Sequence, residues 1–463
     1  MKKLYCLLIV AIAGALLSGC YDNGSDAAPP AGFAAQPGDG RVILTWIPDP
    51  GVEYWVFTAT DPSLTAFNWS NLANAHAYTN AGMPFYMCGL LTSTVGSTNW
   101  TPYYFATNGR SSNGPGGPSS PTKIATPYNA STNWQAGSSP LSTANLYGVG
   151  YLSTTTCSNS PTSADGIFAA VGAGGAIFTG NATIITGSNN IVWLPANPPA
   201  GFSSDLYAVT GNAANLNYLI TPGLLWIAVG AGGASIYSYD GINWYPGGPA
   251  NQGTNSLRAI THSGSYFIAV GDSGTILAAS GITVNGIPWV QQTSGTPNNL
   301  LGVTHGNFYT AVGENGTILT SSGTGIWTQQ PVGYPPLTSE TLRQVATYGS
   351  MTVAVGDNGT IVTSVNNGGQ WTLQPALPGM PNLVSVVAES QVAAPGTAID
   401  NVLGVVPYAQ FVAMDSNGNA YTSVNGAEWS GPYTTGITSP NAMVSSGFGY
   451  VAAGNAGATA YAF

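Results

Sequence analysis

The sequence predicts an all-β protein, and three observations lead to this fold class. Its 463 residues include 62 Gly and 32 Pro, so turns are frequent and long helices are few. Short Val, Ile, Tyr and Phe runs alternate with Gly, Asn and Pro clusters, which is typical of strands joined by turns. Only 5% of the residues are charged but 44% are apolar, a composition that favours a packed core over disorder.

The N-terminus predicts an export signal that ends at a lipidated cysteine. Basic residues precede an apolar run over residues 4–17, which is too short to remain as a transmembrane helix. The run ends in LSGC, residues 17–20, which resembles the lipobox of bacterial lipoproteins. This resemblance implies removal of residues 1–19, acylation of Cys20 and membrane anchoring through that lipid, with residues 20–28 as a tether. A plain secretory signal with an incidental cysteine is the alternative.

The residue after the cysteine bears on location. It is Tyr21, whereas an Asp there would resemble the inner-membrane retention signal of enteric bacteria. The sequence therefore predicts an outer-membrane lipoprotein of a Gram-negative bacterium, on the periplasmic face or the cell surface.

The charge balance argues against nucleic acid as a partner. Without Lys2 and Lys3, five basic residues stand against 17 acidic ones, a net charge of −12. Five scattered cations cannot form the basic patch that phosphate backbones require.

Two cysteines remain in the mature chain once Cys6 leaves with the signal and Cys20 carries lipid. An even pair in an oxidising compartment predicts a disulfide between Cys88 and Cys157. Such a bridge would link the two domains described next, and two separate buried thiols are the alternative.

Residues 29–127 predict a β-sandwich domain. The alternation V-x-L-x-W at 42–46 is typical of a half-buried strand. Together with Y-x-V at 54–56 and Y-x-A-x-N at 104–108, it resembles a fibronectin type III domain. The stretch 61–99 is longer than that family needs.

From residue 128 onward the sequence repeats one unit. Each unit runs through a short strand, a second strand ending in Gly, a turn, a third strand and a closing Trp. Six units begin at Leu146, Leu206, Leu257, Leu300, Leu342 and Leu383. A period of about 40 to 50 residues with about four strands per unit is the signature of a β-propeller.

The two ends of this region supply a seventh unit. Segment 442–463 contains three strands and no Trp, whereas Trp134 precedes the first unit without such strands. Joining them predicts a seven-bladed β-propeller over residues 128–463, closed by its N- and C-terminal strands so that no edge stays open. An eighth blade within the long sixth unit is the alternative. The blade-closing residues are Trp134, Trp193, Trp244, Trp289, Trp327, Trp371 and Trp429.

A glycine-rich loop recurs between the second and third strands, as in FIAVGDSGTIL from Phe267. Its Asp-Ser-Gly, Glu-Asn-Gly and Asp-Asn-Gly tripeptides supply the positive-φ residues that tight hairpins need. A phosphate-binding loop would require a following helix and usually a Lys. The pattern therefore predicts hairpin turns, which begin at Asp272, Glu314 and Asp357.

A second motif lies between the third strand and the Trp. Ser238, Asp240, Gly241 and Trp244 in SYDGINW resemble the Asp-box of sialidases and other bacterial propellers. This resemblance implies a structural role, in which the Asp side chain caps a tight turn. Degenerate copies with Asn for Asp occupy residues 364–371 and 423–429.

The two motifs together resemble the photosystem II assembly factor family of propellers and its bacterial relatives. The resemblance implies the propeller fold. It does not carry over the role of the photosynthetic members, because the basic patch that they use is missing from this sequence.

The acids and arginines of the propeller do not predict a catalytic site. A sialidase needs three arginines around its substrate carboxylate, and the propeller has only Arg258 and Arg343, which we expect at the surface or rim. Asp272, Glu314 and Asp357 occupy one turn position in successive units and would line a ligand or ion face, although turn formation is their default role.

His262 and His305 also occupy equivalent positions, at the end of the first strand in neighbouring units. Two imidazoles without a Cys or carboxylate partner make a poor zinc site. The sequence therefore predicts no metal, no cofactor and no enzyme activity.

These patterns predict a cell-envelope lipoprotein that presents a propeller to a protein or glycan partner without catalysis. Aromatic rings beside amides and hydroxyls suit either partner. The sequence fixes no oligomeric state. Three alternatives stay open: a periplasmic assembly factor for an envelope complex, a polysaccharide-active hydrolase, and a structural subunit of a surface layer.

Overall fold

The computed structural model shows two compact units, formed by the described residues up to 126 and from 134 onward. The structure describes residues 26–38, 41–72, 75–79, 81, 85–87, 102–111, 116–126, 134–137, 140–152, 166–182, 191–212, 225–248, 253–331, 335–376, 379, 381–390, 409–446 and 449–462. Within these ranges, no helix has the length and apolar character needed to cross a membrane. The predicted signal, Cys20, Cys88 and Cys157 lie outside the described residues.

The first unit is a sandwich of two antiparallel sheets. Its strands are β1 (Asp26–Ala27), β2 (Ala31–Gly38), β3 (Arg41–Ile47), β4 (Val52–Ala59), β5 (His76–Tyr78), β6 (Phe85–Met87), β7 (Tyr103–Ser111) and β8 (Lys123–Ala125). One sheet has the order β1-β7-β4-β5 with β8 paired to β7, and the other has the order β2-β3-β6. Leu44, Trp46 and Val56 pack between the sheets in one core. Membership of the fibronectin type III family stays a prediction.

The chain after β4 covers the outer face of its own sheet. Leu64 is buried in a small core with Phe57, and the Trp69 ring lies 6.0 Å from the Phe57 ring. The Thr122 hydroxyl donates a hydrogen bond to the Leu64 carbonyl at 2.7 Å. Part of the long stretch 61–99 is therefore a cover for the sandwich.

The second unit consists of seven four-stranded antiparallel sheets, the blades, and in the first six the strands follow chain order from inside to outside. Blade 1 comprises β10 (Leu146–Leu152), β11 (Ile167–Gly172), β12 (Ile177–Ala182) and β13 (Ile191–Pro195); blade 2 comprises β14 (Leu206–Asn212), β15 (Leu225–Gly230), β16 (Ser235–Ser238) and β17 (Trp244–Pro246); blade 3 comprises β18 (Leu257–His262), β19 (Phe267–Gly271), β20 (Ile276–Ala279) and β21 (Val290–Gln292). Blade 4 comprises β22 (Leu300–His305), β23 (Tyr309–Gly313), β24 (Ile318–Ser321) and β25 (Thr328–Gln329); blade 5 comprises β26 (Leu342–Tyr348), β27 (Met351–Gly356), β28 (Ile361–Ser364) and β29 (Thr372–Leu373); blade 6 comprises β30 (Leu383–Ser390), β31 (Ala409–Asp415), β32 (Asn419–Ser423) and β33 (Ser430–Thr434).

Blade 7 is assembled from both ends of the unit. It comprises β34 (Pro440–Ser445), β35 (Tyr450–Gly454), β36 (Thr459–Ala462) and, from the N-terminal side, β9 (Gln135–Ala136). Gln135 pairs with Tyr461 and Ala136 pairs with Ala460. The innermost strands of successive blades contact one another, and β34 contacts β10, so the ring is closed. The predicted seven-bladed propeller is confirmed, and the described residues of the sixth unit form one sheet.

The recurring glycine-rich loop is a tight hairpin turn. In blade 3 the amide of Thr275 donates to the carbonyl of Asp272 at 3.1 Å, and Ser273 and Gly274 between them have φ of 55° and 67°. Two consecutive positive φ values define the turn that matches the twist of a hairpin. A Cβ atom on Gly274 would also lie 1.9 Å from the carbonyl oxygen of Thr296. This position therefore requires glycine both for its positive φ and for the close approach of Thr296.

Candidate functional site

The side chains of the Asp-box of blade 2 are held in a network of hydrogen bonds. The Asp240 carboxylate accepts from the amides of Ile242 and Asn243 at 2.8 and 2.7 Å. The Ser238 hydroxyl accepts from the Gly241 amide at 2.8 Å, and the Trp244 indole donates to the Gly241 carbonyl at 3.1 Å. The side chains of this motif are therefore used to hold the connection that leads into β17.

The ionised form of Asp240 is favoured in this setting. Burial alone would raise its pKa, but the hydrogen bonds from Asn243, Ile242 and Ser238 outweigh burial and lower the pKa below its ordinary value. Asp240 is thus a turn-capping carboxylate that stays charged.

The degenerate copies repeat this geometry with an amide oxygen. In blade 5, Asn366 accepts from the amide of Gln370 at 2.7 Å, and the Trp371 indole donates to the Gly368 carbonyl at 2.9 Å. In blade 6, Asn425 accepts from the amide of Glu428 at 2.8 Å. An Asn carbonyl oxygen can therefore replace one Asp oxygen, since both side chains offer an acceptor at this position.

The blade-closing tryptophans lie at the outermost strands. Trp193 lies within β13, Trp244 opens β17, and the other five each directly precede the outermost strand of their blade: Trp134, Trp289, Trp327, Trp371 and Trp429. Trp244 packs with strands of blades 1 and 2, and Trp289 packs with strands of blades 2 and 3. The rings thus fill the space between neighbouring sheets, which is where a propeller needs apolar volume.

The three turn acids are bonded within their own blades. Asp272 and Asp357 each receive two hydrogen bonds from an arginine of the same blade: Arg258 donates to Asp272 at 2.8 and 2.9 Å, and Arg343 donates to Asp357 through Nε and Nη2. Glu314 instead accepts from the Asn299 side chain at 3.0 Å. Among the described residues, no group of three His, Cys, Asp or Glu side chains is placed to hold a metal ion. The acids therefore act as intrablade anchors.

The two histidines lie side by side at the far end of the innermost strands. Burial lowers the pKa of His262, and the neighbouring His305 lowers it further; burial also lowers the pKa of His305. The His305 ring packs 4.5 Å from the Tyr309 ring, and the Tyr309 hydroxyl bonds to Ser263 of blade 3 at 2.5 Å. This pair of neutral imidazoles belongs to the junction between blades 3 and 4.

One set of side chains stands out that the sequence patterns did not identify as a site. The innermost strand of every blade has a β-bulge directly after its first residue, as the register shift between Leu146 and Gly148 shows for blade 1. A bulge inserts one extra residue and re-aims its side chain. The seven bulged residues, called here the bulge ring, are Tyr147, Tyr207, Arg258, Leu301, Arg343, Val384 and Asn441. All seven are half-buried.

Members of the bulge ring contact one another across blade boundaries. The Tyr147 and Tyr207 rings lie 5.6 Å apart, and the Arg258 guanidinium lies 4.7 Å from the centre of the Tyr207 ring. Asn441 donates to the Leu146 carbonyl at 2.8 Å, which continues the contacts across the closure. Because the innermost strands form a closed cycle, these side chains form a ring at one end of it.

The bulge ring combines side chains of four chemical types. It offers two phenol rings, two guanidinium groups, one amide and two aliphatic groups. The hydrogen bond to Asp272 raises the pKa of Arg258 above its already high ordinary value, so the ion pair persists at physiological pH. The sequence analysis placed Arg258 and Arg343 at the surface or rim, but it did not group them with the second residues of the other innermost strands.

A second set of residues that the sequence patterns missed links five of the seven hairpins to the next blade. The residue before an innermost strand accepts a hydrogen bond from the positive-φ residue of the preceding hairpin, as Asp205 does from the Gly174 amide at 2.7 Å. Equivalent bonds join Ser256 to Gly232, Asn299 to Ser273, Asn382 to Asn358, and Asn145 to Ala456. The bond of Asn145 spans the closure between blades 7 and 1.

Comparisons with known proteins support the fold. No family model matches the chain, and no curated protein matches it. The structure described as YCF48 bound to D1 peptide is similar with a TM-score of 0.50 and 14% identity, over 71% of this chain and 96% of that chain. Two further structures have slightly lower TM-scores. YCF48 from Cyanidioschyzon merolae has a TM-score of 0.48 and 14% identity, over 71% of this chain and 98% of that chain. The WD40 propeller of Doa1 has a TM-score of 0.49 and 8% identity, over 71% of this chain and 97% of that chain. The first likeness confirms the β-propeller fold that the repeats predict.

Proposed function

We propose that this chain is a cell-envelope lipoprotein whose propeller is a non-catalytic platform for a protein partner, contacted through the bulge ring. The observation that carries this proposal is the ring itself. Seven equivalent positions meet at one end of a closed cycle of strands, and two of them are tyrosines and two are arginines. Tyr and Arg are the residue types that contribute most at protein interfaces, because they combine large apolar surface with hydrogen-bonding groups.

The scaffold beneath the ring is suited to binding. The bulged residues lie on strands whose neighbouring residues are fully buried, such as Leu146 and Leu206. A partner would therefore meet preorganised side chains and lose little conformational entropy of this chain on binding. The YCF48 propeller, which shares this fold, is described with a bound D1 peptide, so the fold is compatible with a peptide ligand.

The envelope location rests on the sequence of the N-terminus. The apolar run and the LSGC motif at residues 17–20 support lipidation at Cys20 and an outer-membrane site. A lipid anchor with several acyl chains would hold the protein stably at the membrane, whereas a single chain would not.

Photocrosslinking in intact cells tests the binding role. A photoreactive amino acid at Tyr147 or Leu301 of the bulge ring is expected to give one discrete adduct with an envelope protein. The control position is Val365, which is 66% exposed and lies in the turn after β28, away from the ring. Equal adducts at ring and control positions, or none at the ring, would contradict the proposal.

Binding of the purified partner then tests the role of individual side chains. Tyr207→Ala is expected to weaken binding about tenfold, since buried aromatic anchors typically contribute more than about 1 kcal/mol. Val365→Ala should leave the dissociation constant unchanged. If both variants bind as tightly as the original chain, the bulge ring is not the contact surface.

Metabolic labelling tests the anchor. Cells that express the chain with Cys20→Ala should not incorporate labelled fatty acid into it, and the protein should move from the membrane to the soluble envelope fraction. Labelling that persists in Cys20→Ala would contradict lipidation at this residue. Protease treatment of intact cells then distinguishes a surface location from a periplasmic one.

A further inference from the structure

Three tyrosines form a cluster on the outer strands of blade 2. Tyr237, Tyr239 and Tyr245, called here the tyrosine triad, have ring centres 5.5, 5.6 and 6.5 Å apart. Tyr237 and Tyr245 are register partners on β16 and β17, and Tyr239 lies just after β16. The triad is separate from the bulge ring, which lies on the innermost strands.

The other blades show that the fold does not require aromatic rings here. The third and fourth strands pair without a register shift in every blade except blade 6, so these blades can be compared position by position. The pair equivalent to Tyr237 and Tyr245 is Thr179–Leu194 in blade 1, Ala278–Val290 in blade 3, Thr320–Thr328 in blade 4 and Thr363–Thr372 in blade 5. In blade 7 the equivalent pair is Tyr461–Gln135, so a tyrosine on the third strand recurs in the repeat. The position of Tyr245 holds a non-aromatic residue in each of these five blades, so Tyr245 is the member that departs from the repeat.

Packing accounts for two members of the triad. In blade 1 the Thr179 hydroxyl bonds to the Gly241 carbonyl in the Asp-box of the next blade. Blade 3, which follows blade 2, has no Asp-box in its sequence, so the equivalent position in blade 2 has no such bond to make. Tyr237 and Tyr239 instead pack against the core between blades 2 and 3. Tyr245 is not part of that core and is 46% exposed, so its aromatic ring has no packing explanation.

The chemistry of the exposed cluster is that of a saccharide site. None of the three phenol hydroxyls has a hydrogen-bond partner among the described residues. The neighbouring Asp240 carboxylate is occupied by its own turn, so the cluster presents rings and hydroxyls without a free charge. Sugars present an apolar C–H face together with hydroxyl groups, and a tyrosine ring with its hydroxyl complements both.

We propose that the tyrosine triad binds a neutral saccharide, which stacks on the Tyr245 ring and hydrogen-bonds to the phenol hydroxyls. The two half-buried rings fix the orientation of Tyr245, since each of them contacts it. Burial and the neighbouring phenols raise the pKa of Tyr239, so its hydroxyl keeps its proton for donation at physiological pH. The proposal does not depend on the protein partner of the bulge ring.

Calorimetric titration of the purified full-length mature protein with three neutral hexasaccharides tests this site. The probes are the hexamers of β-1,4-linked glucose, α-1,4-linked glucose and β-1,4-linked N-acetylglucosamine. At least one is expected to bind with a dissociation constant below about 1 mM. No binding of any of the three at that concentration would overturn the proposal.

Two substitutions of Tyr245 separate stacking from hydrogen bonding. Tyr245→Thr introduces the residue found at this register position in blades 4 and 5, so the strand pair should form, and affinity should fall about tenfold. Tyr245→Phe keeps the ring and should lose about threefold, as expected for one hydrogen bond. Unchanged affinity in Tyr245→Thr would overturn the proposal.

The matched control is Tyr266→Ala. Tyr266 is another exposed tyrosine, 39% accessible, but it lies in the turn between β18 and β19 and outside the triad. Its substitution should leave saccharide affinity unchanged, and an equal loss in Tyr266→Ala would show that the sugar binds elsewhere. If Tyr245→Thr weakens the binding of a protein partner but not of any saccharide, the triad is a protein contact and the proposal is wrong.

Discussion

At the scale of single residues, Asp240 shows how one side chain can organise a connection between strands. Its two oxygens accept three hydrogen bonds from Ile242 and Asn243, counting the Asn243 side chain at 2.8 Å. Blades 5 and 6 achieve a similar turn with an Asn, which has only one acceptor oxygen. The carboxylate is therefore stabilising through its second oxygen and its charge, rather than being essential to the turn.

We expect Asp240→Ala to lower the free energy of unfolding by about 1 to 2 kcal/mol at neutral pH, because two turn amides lose their acceptor. Asp240→Asn, the matched control, should lower the free energy of unfolding by less, since Asn366 and Asn425 accept the equivalent amide hydrogen bonds in blades 5 and 6. The measurement is the midpoint of chemical unfolding. Equal midpoints for Asp240→Ala and the original chain would contradict this role.

The pH dependence follows from the sign of the pKa shift. The folded-state pKa of Asp240 lies below the unfolded value of 3.8, so the ionised form contributes stability that is present above that pH. This contribution is lost as the pH falls through the lower, folded-state pKa. We expect the stability difference between the original chain and Asp240→Asn to shrink when unfolding is measured at progressively lower pH below 3.8. A difference that stays constant down to pH 2 would contradict the assignment.

At the scale of elements, the hairpin turns carry two separate demands on glycine. Gly274 has a positive φ and lies against the Thr296 carbonyl, whereas Gly232 has a positive φ with no atom within 4 Å of a Cβ. Ala456 occupies the position equivalent to Gly232 in blade 7, with φ of 52°. Alanine can thus adopt the positive φ of this turn position. It cannot be accommodated where a second chain segment lies as close as Thr296 lies to Gly274.

This difference predicts unequal effects of the same substitution. Gly232→Ala should cost about 1 kcal/mol, the usual penalty for an L-residue in this conformation. Gly274→Ala should cost more than about 3 kcal/mol, because the turn or the segment at Thr296 must move. Thermal unfolding of both variants measures the difference, and equal losses would show that the clash relaxes freely.

The strands and hairpins could be predicted from sequence because the same residue pattern recurs in each repeat. Six copies of an apolar run, a Gly turn and a Trp fix the strand order and the blade number, and the complementary ends fix the closure. The bulge ring could not be predicted in the same way. A bulge changes the register of one strand pair without changing the alternation of apolar residues, so the shift after Leu146 leaves no mark in the pattern. The tyrosine triad was equally hidden, since its members come from two strands and a turn.

At the scale of the whole propeller, the closure between blades 7 and 1 is the contact that completes the ring. It combines the pairing of β36 with β9, the bond from the Ala456 amide to Asn145, and the bond from the Trp193 indole to the Tyr461 hydroxyl at 2.9 Å. These residues are far apart in sequence. Covalent reinforcement here should therefore stabilise the entire ring.

Paired cysteines at Ala136 and Ala460 test this expectation. The two residues are opposite each other, and the adjacent bond from the Gly137 amide to the Thr459 carbonyl makes theirs the closer type of strand pair. The disulfide should raise the free energy of unfolding by about 2 to 4 kcal/mol, and reduction should remove the gain. The single substitution Ala136→Cys is the control. No gain in the oxidised double variant would mean that another blade junction opens first.

The location of β9 also affects when the protein can fold. Its partner strand, β36, consists of residues 459–462, so the seventh sheet lacks its third strand until synthesis has reached that point. A chain whose synthesis has not yet passed residue 459 therefore cannot close the ring. We expect polypeptides that end before residue 459 to be degraded faster in cells than the full chain, because they lack the strand that pairs with β9.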